Sequence, residues 1–209
     1  MTKLLLLAHE SVRFSRDVTD KEIKNVVKSE TQLPVRRLNN FTLLALNAVY
    51  RLLLNHPTSK PLALYSGAKY LSLELFQSVI NAMHNNQTIR PFDFIATVGN
   101  VANYYLAKEF NIHGPNIFIG ATEQLFLKSI LLAESDLNAG HSQQAIVVIW
   151  QVTDEEWCCH AFLIERLPID NLTTNHELIN TKALALICID DLLNESADIA
   201  YPALLKTSF

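Results

Sequence analysis

The feature that most constrains the fold of this 209-residue chain is the alternation of short β-rich runs with longer helical segments. Strand-like runs occur at 61–67 (PLALYSG), 116–121 (NIFIGA), 144–152 (QAIVVIWQV), 158–166 (CCHAFLIER) and 183–193 (ALALICIDDLL). Helices that connect strands of one sheet must pack on its faces. The alternation therefore predicts an α/β fold with a mostly parallel or mixed sheet covered by helices on both faces.

Four helices are expected around these runs. The first begins with amides that can cap it and is apolar nearly all round, as a buried helix is. The second has Ser72 as its cap, and the third stops before Gly114-Pro115. The polar segment 17–32 is interpreted as a solvated segment or a short helix, and the proline-marked stretch 89–100 as a loop. The four helical segments lie at 39–56, 73–83, 101–110 and 123–137.

Composition indicates one domain, 1–209, that has a partner. Hydrophobic residues make up 49% of the chain and charged residues 18%, more apolar side chain than a lone domain of this size usually needs. There is no internal repeat or Gly/Ser-rich linker. The net charge is −4 and the basic residues are scattered, which argues against a nucleic-acid ligand. Part of the apolar surface is expected to face another protein.

The cysteines and the N-terminal residues indicate where the chain resides. Cys158 and Cys159 are adjacent and Cys188 is distant, so the three are expected to be reduced thiols. Cys158, Cys159 and His160 are contiguous, which argues against a zinc site, and no cofactor is expected. The apolar run at 4–8 is too short for a signal peptide, and no run has the length of a membrane span. The protein is expected to be cytoplasmic.

The stretch 91–151 resembles the N-terminal half of the β-ketoacyl synthases of the thiolase superfamily. PFDFIATVGNVANYYLAKEFNIHGPN is similar to the loop and Asn-bearing helix that lead to a Gly-Pro turn in that family. IFIGA takes the place of the strand that delivers the nucleophile, and LFLKSILLAESDLNAGHSQQAIVVIW that of the next helix and strand. LPVRRLNNFTLLALNAV and LALYSGAKY resemble the family's opening helix and its strand with a Ser-Gly break. The resemblance covers 33–166 and implies a thiolase-like fold.

The residue at the nucleophile position departs from the family. In active synthases this position holds a cysteine, and here straight counting places Glu123 there. The stretch TEQ also resembles the non-catalytic subunits called chain-length factors, in which a Gln replaces the nucleophile, and Gln124 is one residue later. Whether Glu123 or Gln124 is the equivalent stays open. Either residue removes acyl transfer, so we expect no catalytic residue in this chain. Glu123 is also expected to cap the following helix.

A second departure concerns the C-terminal half. The synthases take two catalytic histidines from a C-terminal half about as large as the first, and only 152–209 follows Gln151 here. That half is expected to be missing. The resemblance therefore implies a chain-length-factor-like subunit that forms a heterodimer with a complete ketosynthase. The complex would act on chains bound to acyl carrier protein in a type II polyketide pathway, such as a polyene-making one, or a fatty-acid pathway.

The resemblance also assigns two groups of site residues. In the family the nucleophile strand pairs with the same strand of the other subunit, which places Asn116, Ile117, Phe118 and Ile119 at the partner interface. Chain-length factors close the far end of the partner's acyl tunnel. By resemblance, that wall would be lined by Leu75, Ser78, Phe92 and Phe94. Alternation along the strand places Ile117 and Ile119 on one face and Phe118 on the other.

Three alternatives stay open. Ile117 and Ile119 could be ordinary core residues, and Phe92 and Phe94 could merely anchor their loop. A different class of function is a stand-alone thiol-dependent acyl hydrolase or transferase that uses Cys159 and a distant histidine. Cys159 and His160 point to opposite faces of a strand, however, and buried cysteine is common as a small hydrophobe. The third alternative is an inert homodimer.

Overall fold

A six-stranded mixed sheet lies at the centre of the computed structural model, which describes residues 3–69, 73–120, 123–166 and 185–188. The strand order is β3-β2-β4-β5-β1-β6. β2 pairs in parallel with β3 and β4, and the other pairs are antiparallel. The mixed sheet, one of the two expected arrangements, is confirmed. The strands are β1 (Lys3–Ser15), β2 (Leu62–Ala68), β3 (Asn116–Gly120), β4 (Gln144–Val152), β5 (Glu156–Arg166) and β6 (Ala185–Cys188).

Helices cover both faces of this sheet, as predicted. α2, α5 and α1 enclose a larger core on one face, and α6 encloses a smaller core on the other. We call these the α2 face and the α6 face. The helices are α1 (Asp20–Thr31), α2 (Asn40–Asn55), α3 (Leu73–His84), α4 (Pro91–Ile95), α5 (Val101–Glu109) and α6 (Leu125–Ala139).

The structure makes the sequence prediction more precise for α1 and corrects it for α4. The polar segment 17–32 forms helix α1, which begins with a capping box between Thr19 and Glu22. The expected loop 89–100 contains α4, so that interpretation is wrong over 91–95. Proline is favoured at the first position of a helix because its missing N–H is not needed there, and Pro91 occupies that turn. Ser72, the expected cap of α3, lies outside the described residues.

β1 was not predicted, and its irregular register explains why. The strand pairs with β5 along its length, but the register shifts between Leu6 and Ala8. Leu4 and Leu6 pack into the α6-face core, whereas Ala8 and Val12 pack into the α2-face core. A β-bulge inserts one residue and reverses which side chains face which core. The alternation that identifies a strand is therefore broken in the middle of β1.

Candidate functional site

β3 lies at one edge of the sheet. Its described pairing is with β2 alone, in parallel from Leu64↔Asn116 to Ala68↔Gly120. At the opposite side of the sheet, β6 pairs with the first residues of β1. Asn116 and Gly120 are exposed, and the three residues between them are half-buried. Among the described strands, β3 thus offers an open edge of the kind that pairs with another chain.

Side chains of β3 alternate between the two cores as the sequence predicted. Ile117 packs against the α6-face core, and Phe118 packs against the α2-face core. The ring of Phe118 lies 6.5 Å from those of Phe41 and Trp150, centroid to centroid. Gly99 is also close: a Cβ built there would lie 2.6 Å from the Phe118 ring. Ile117 and Phe118 therefore anchor β3 to the body of the fold, whatever else they contact.

A hydrogen-bond network holds the start of β3 in place. Asn103 of α5 is buried and donates from its amide to Oδ1 of Asn116 over 2.8 Å. Ser66 of β2, also buried, donates its hydroxyl to Oδ1 of Asn103 over 2.5 Å. Buried amides are costly unless they are paired, so this network favours one position of β3. These hydrogen bonds therefore hold the first residue of β3 in one position.

The strand-to-helix turn after β3 contains both candidates for the nucleophile position. Gln124 has φ 56° and ψ 31°, in the left-handed region, and immediately precedes α6. A single residue in a strained backbone conformation at such a turn is also how nucleophile elbows present their reactive side chain. Both Glu123 and Gln124 are exposed, and neither carries a thiol or hydroxyl. The geometry therefore distinguishes Gln124 from Glu123.

Glu123 does not cap α6 as expected. The residue before the first helical turn is Gln124, and its side chain makes no capping hydrogen bond. Glu123 lies one residue earlier, where its backbone carbonyl accepts from Nζ of Lys128 over 3.0 Å. Residues 125–127 are all apolar, so the hydrophobic pattern of the sequence did not show at which residue the helix begins. The start of α6 differs from the expected position by two residues, a normal uncertainty at helix ends.

Large exposed hydrophobic side chains are concentrated in one stretch of the sequence. Eight of the eleven such residues among those described lie between positions 76 and 104. We call this group the apolar surface. Exposed apolar side chains that lie together mark binding sites on soluble proteins, so this group is a candidate binding surface. Its members are Phe76, Ile80, Met83, Phe92, Phe94, Ile95, Val98 and Tyr104.

The four expected tunnel residues lie on two helices that pack together. Leu75 and Ser78 are on α3, Phe92 and Phe94 are on α4, and these helices contact each other. Leu75 is half-buried and Ser78 is exposed, while Phe92 and Phe94 are 48% and 58% exposed. The sequence interpretation missed the exposed apolar stripe of α3, which consists of Phe76, Ile80 and Met83. Their spacing of four and three residues was the signal that could have identified it.

The cysteine beside His160 on β5 is Cys158, whereas the thiol-enzyme alternative uses Cys159. Cys158 and His160 lie on the same face, with Sγ 2.9 Å from Nε2. Nδ1 of His160 lies 3.3 Å from Nε2 of His9 on the neighbouring strand β1. Burial raises the pKa of the Cys158 thiol to about 11. Burial, with the nearby charges of His9 and Arg13, lowers the pKa of His160 to about 3.

Cys159 faces away from this cluster and has no exposed surface. It belongs to the α2-face core, and burial raises the pKa of its thiol well above the usual value. Cys159 packs into the α2-face core, whereas His160 lies beside Cys158 on the other face, which confirms the prediction that Cys159 and His160 do not face each other. Across the described ranges, no group of three potential ligands could hold a metal ion, and no helix is long and apolar enough to cross a membrane.

Comparison of structures identifies related folds, although no family model and no curated protein matches the sequence. The complex of the ketosynthase ApeO with its chain length factor ApeC from Xenorhabdus doucetiae matches with a TM-score of 0.63 and 15% identity. That match covers 80% of this chain and 80% of the other. The ishigamide ketosynthase/chain length factor matches with a TM-score of 0.63 and 15% identity, over 78% of this chain and 62% of that one.

A third structure contains a carrier protein. It is the type II polyketide synthase acyl-carrier protein AntF in complex with its ketosynthase AntDE, bound to the hexaketide. The TM-score is 0.59 and the identity 10%, over 89% of this chain and 67% of the other. At such identities the likeness is one of fold. This chain therefore has the thiolase-like fold of the chains in these ketosynthase and chain length factor structures, as its sequence resemblance implied.

Proposed function

We propose that this chain is a non-catalytic, chain-length-factor-like subunit that pairs with a complete ketosynthase and closes the end of its acyl tunnel. The observation that carries the proposal is the turn between β3 and α6. In the described part of that segment, Gln124 has the left-handed conformation, and its amide cannot act as an acyl-accepting nucleophile. Gln124 is accordingly our choice for the residue that replaces the family's cysteine. The partner supplies the reactive cysteine and both histidines.

The open edge of β3 and the apolar surface support pairing with another subunit. Ile119 is half-buried and, unlike Ile117 and Phe118, is not among the described residues that pack against either core. Asn116 is exposed at the start of the same strand, although its amide is held by Asn103. A partner strand along β3 would satisfy its outward backbone groups, and a partner surface over 76–104 would remove large apolar side chains from water.

The tunnel role rests on α3 and α4. These helices carry Leu75, Ser78, Phe92 and Phe94, and much of their apolar side-chain surface is exposed. In a complex, that surface would face the growing acyl chain, whose length would be limited by the size of the side chains at the wall. The substrates of the complex are chains carried by acyl carrier protein in a type II polyketide pathway, such as a polyene-making one, or a fatty-acid pathway.

The competing function, a stand-alone thiol enzyme, is disfavoured by the geometry of both strand cysteines. Cys159 is fully buried and faces away from His160. Cys158 is next to His160, but it is 1% exposed. Because burial raises the pKa of its thiol, the thiol stays protonated at neutral pH, and the protonated form is not the nucleophile. A catalytic pair would need a thiolate and an imidazolium within reach of substrate. The raised pKa of Cys158 and the lowered pKa of His160 instead favour the neutral thiol and the neutral imidazole.

Co-expression with a candidate ketosynthase tests the pairing. The two chains should elute together in size-exclusion chromatography, with a mass by light scattering equal to one copy of each. The ketosynthase is taken from the same genome and must contain its cysteine and both histidines. A homodimer of this chain in the presence of excess ketosynthase, with no mixed species, would instead favour the inert homodimer and contradict the proposal.

A further inference from the structure

Arg37 contacts one of the proposed wall residues directly. It lies in the loop between α1 and α2, and its guanidinium sits over the ring of Phe92, with Cζ 4.7 Å from the ring centroid. This distance is within the range of a cation–π contact. The planar guanidinium of arginine stacks on aromatic rings better than the ammonium of lysine does. The contact joins the α2 side of the fold to the first turn of α4.

Arg37 has a backbone conformation that is unusual for arginine. Its φ is 66°, in the left-handed region that glycine and asparagine adopt readily and most other residues avoid. A strained residue persists where its surroundings fix it, and such residues cluster at functional positions. Asparagine would suit this backbone better than arginine does, but its side chain is too short to reach Phe92. The side chain of Arg37, rather than its backbone, is therefore what the position requires.

Few contacts attach α4 to the body of the protein in the part of the chain that the structure describes. The helix has five residues, none of them buried. Besides its contact with α3, it is held by the Arg37–Phe92 contact and by a hydrogen bond from Nδ2 of Asn39 to the carbonyl of Ala96, 3.4 Å long. Between these two attachments is a cavity of about 20 Å³, room for little more than one water molecule. A loosely held helix can move unless a specific contact fixes it.

We propose that Arg37 is a positioning residue that holds Phe92, and with it α4, at a fixed place in the wall of the acyl tunnel. The inference rests on the proposed function, because the wall exists only in a complex with a ketosynthase. Arg37 acts through Phe92 and does not itself contact the acyl chain. Without Arg37, α4 yields to a growing chain, and the complex makes longer products.

The test compares Arg37→Asn with Arg36→Asn in the complex with the ketosynthase. Asn at position 37 relieves the backbone and removes the contact, so its thermal midpoint should equal or exceed that of the wild type. The ratio of longer to main product should rise about two- to fivefold, the factor that corresponds to a cation–π contact at an exposed site. Arg36 is the matched control, since among the described contacts it has no aromatic partner. Arg37→Lys should give a smaller rise.

A second readout needs no partner. With 4-fluorophenylalanine at position 92, the fluorine resonance should shift and sharpen in Arg37→Asn and stay unchanged in Arg36→Asn. If the wild-type chain leaves the ketosynthase products unaltered, the proposed function fails, and the fluorine spectra alone decide the role of Arg37. If the wild type does set product length, but Arg37→Asn gives wild-type products and an unchanged fluorine resonance, Arg37 does not position Phe92 and the inference is overturned.

Discussion

Sγ of Cys158 lies 2.9 Å from Nε2 of His160, two residues further along β5 and on the same face. The arrangement has the geometry of a nucleophile and its base, yet burial favours the uncharged form of both groups. A neutral thiol can donate its S–H to Nε2, which leaves the Nδ1–H of His160 to donate to His9. The cluster therefore forms a buried hydrogen-bonded chain across β1 and β5, and it is not activated for attack.

The strand thiols should react slowly with iodoacetamide. At neutral pH, raising a thiol pKa from 9.0 to about 11 lowers the thiolate fraction about a hundredfold, and burial slows access further. Alkylation followed by mass spectrometry in a Cys188→Ser background measures Cys158 and Cys159 alone. The same chain in denaturant is the control and should react at the rate of an ordinary thiol. A fast-reacting thiol in the folded chain would support the enzyme alternative.

Acid should weaken the fold through His160. The pKa of His160 is about 3 in the folded chain and near 6.5 when it is unfolded, so between these values only the unfolded chain binds the proton. The free energy of unfolding therefore falls as the pH is lowered from 6.5 towards 3, by up to about 1.4 kcal/mol per pH unit. Burial also lowers the pKa of His9, which adds to the effect in the same direction.

Urea denaturation between pH 7 and pH 4.5 measures this dependence. His160→Gln removes the titrating group, so the difference in unfolding free energy between wild type and variant should narrow by at least about 1 kcal/mol as the pH falls. The exposed His56→Gln serves as the control for the loss of one imidazole. Parallel stability curves for the wild type and His160→Gln would show that His160 does not titrate in this way.

Gly114→Ala should destabilise the fold, whereas Gly120→Ala should not. A Cβ at Gly114 would lie 2.4 Å from the carbonyl oxygen of Leu62 and 2.5 Å from Oγ of Ser142. Backbone must move to relieve the first clash, at a cost of about 1–3 kcal/mol in the free energy of unfolding. A Cβ at Gly120 meets nothing within 4 Å. Urea denaturation compares the two, and equal effects would contradict the close packing of the Gly-Pro turn.

Ile119→Lys should prevent association with the ketosynthase and leave the chain folded. Charged side chains on an edge strand oppose pairing with another strand, and Ile119 is not among the described residues that pack against either core. Leu132→Lys is the matched control, because Leu132 is an exposed hydrophobic residue on α6. Size-exclusion chromatography of co-expressed chains and the thermal midpoint measure the two effects. If Ile119→Lys co-elutes with the ketosynthase as the wild type does, β3 is not the interface.

Regular segments could be predicted from the sequence because their periodicity is intact. α2 and β4 were located within one residue of their observed ends, since one is apolar nearly all round and the other is a continuous buried run. The two faces of β3 followed from alternation alone. β1 could not be found in this way, because the bulge at Leu7 reverses the alternation that identifies a strand.

The candidate site was harder to predict for two reasons. Some of its contacts join residues that are distant in the sequence, and other features depend on backbone angles. Counting could not choose between Glu123 and Gln124, and our proposal of Gln124 depends on the left-handed conformation before α6, which counting does not reveal. The pair of Cys158 and His160 was visible as a spacing of two residues on a strand. The contact of Arg37 with Phe92 depends on a loop and a five-residue helix, for which no periodicity exists.

Two substitutions on α3 test the proposed tunnel wall. Ser78 is exposed, so Ser78→Trp adds a large side chain at the proposed wall without disturbing a core. The complex with this variant should make shorter acyl chains than the wild-type complex does, because less space remains at the closed end of the tunnel. Gln77→Trp, at a neighbouring exposed position of the same helix, is the matched control. Equal product lengths for both tryptophan variants would contradict the assigned wall.

The most direct measurement is the length of the acyl chains that the ketosynthase makes with and without this chain. Products released from the acyl carrier protein are identified by mass spectrometry at equal ketosynthase concentration. We expect elongation to one defined length to require this chain, and to continue unchanged when Gln124 is replaced by Ala. Elongation by the ketosynthase alone at the same rate and to the same length would contradict the proposal that this chain closes the tunnel.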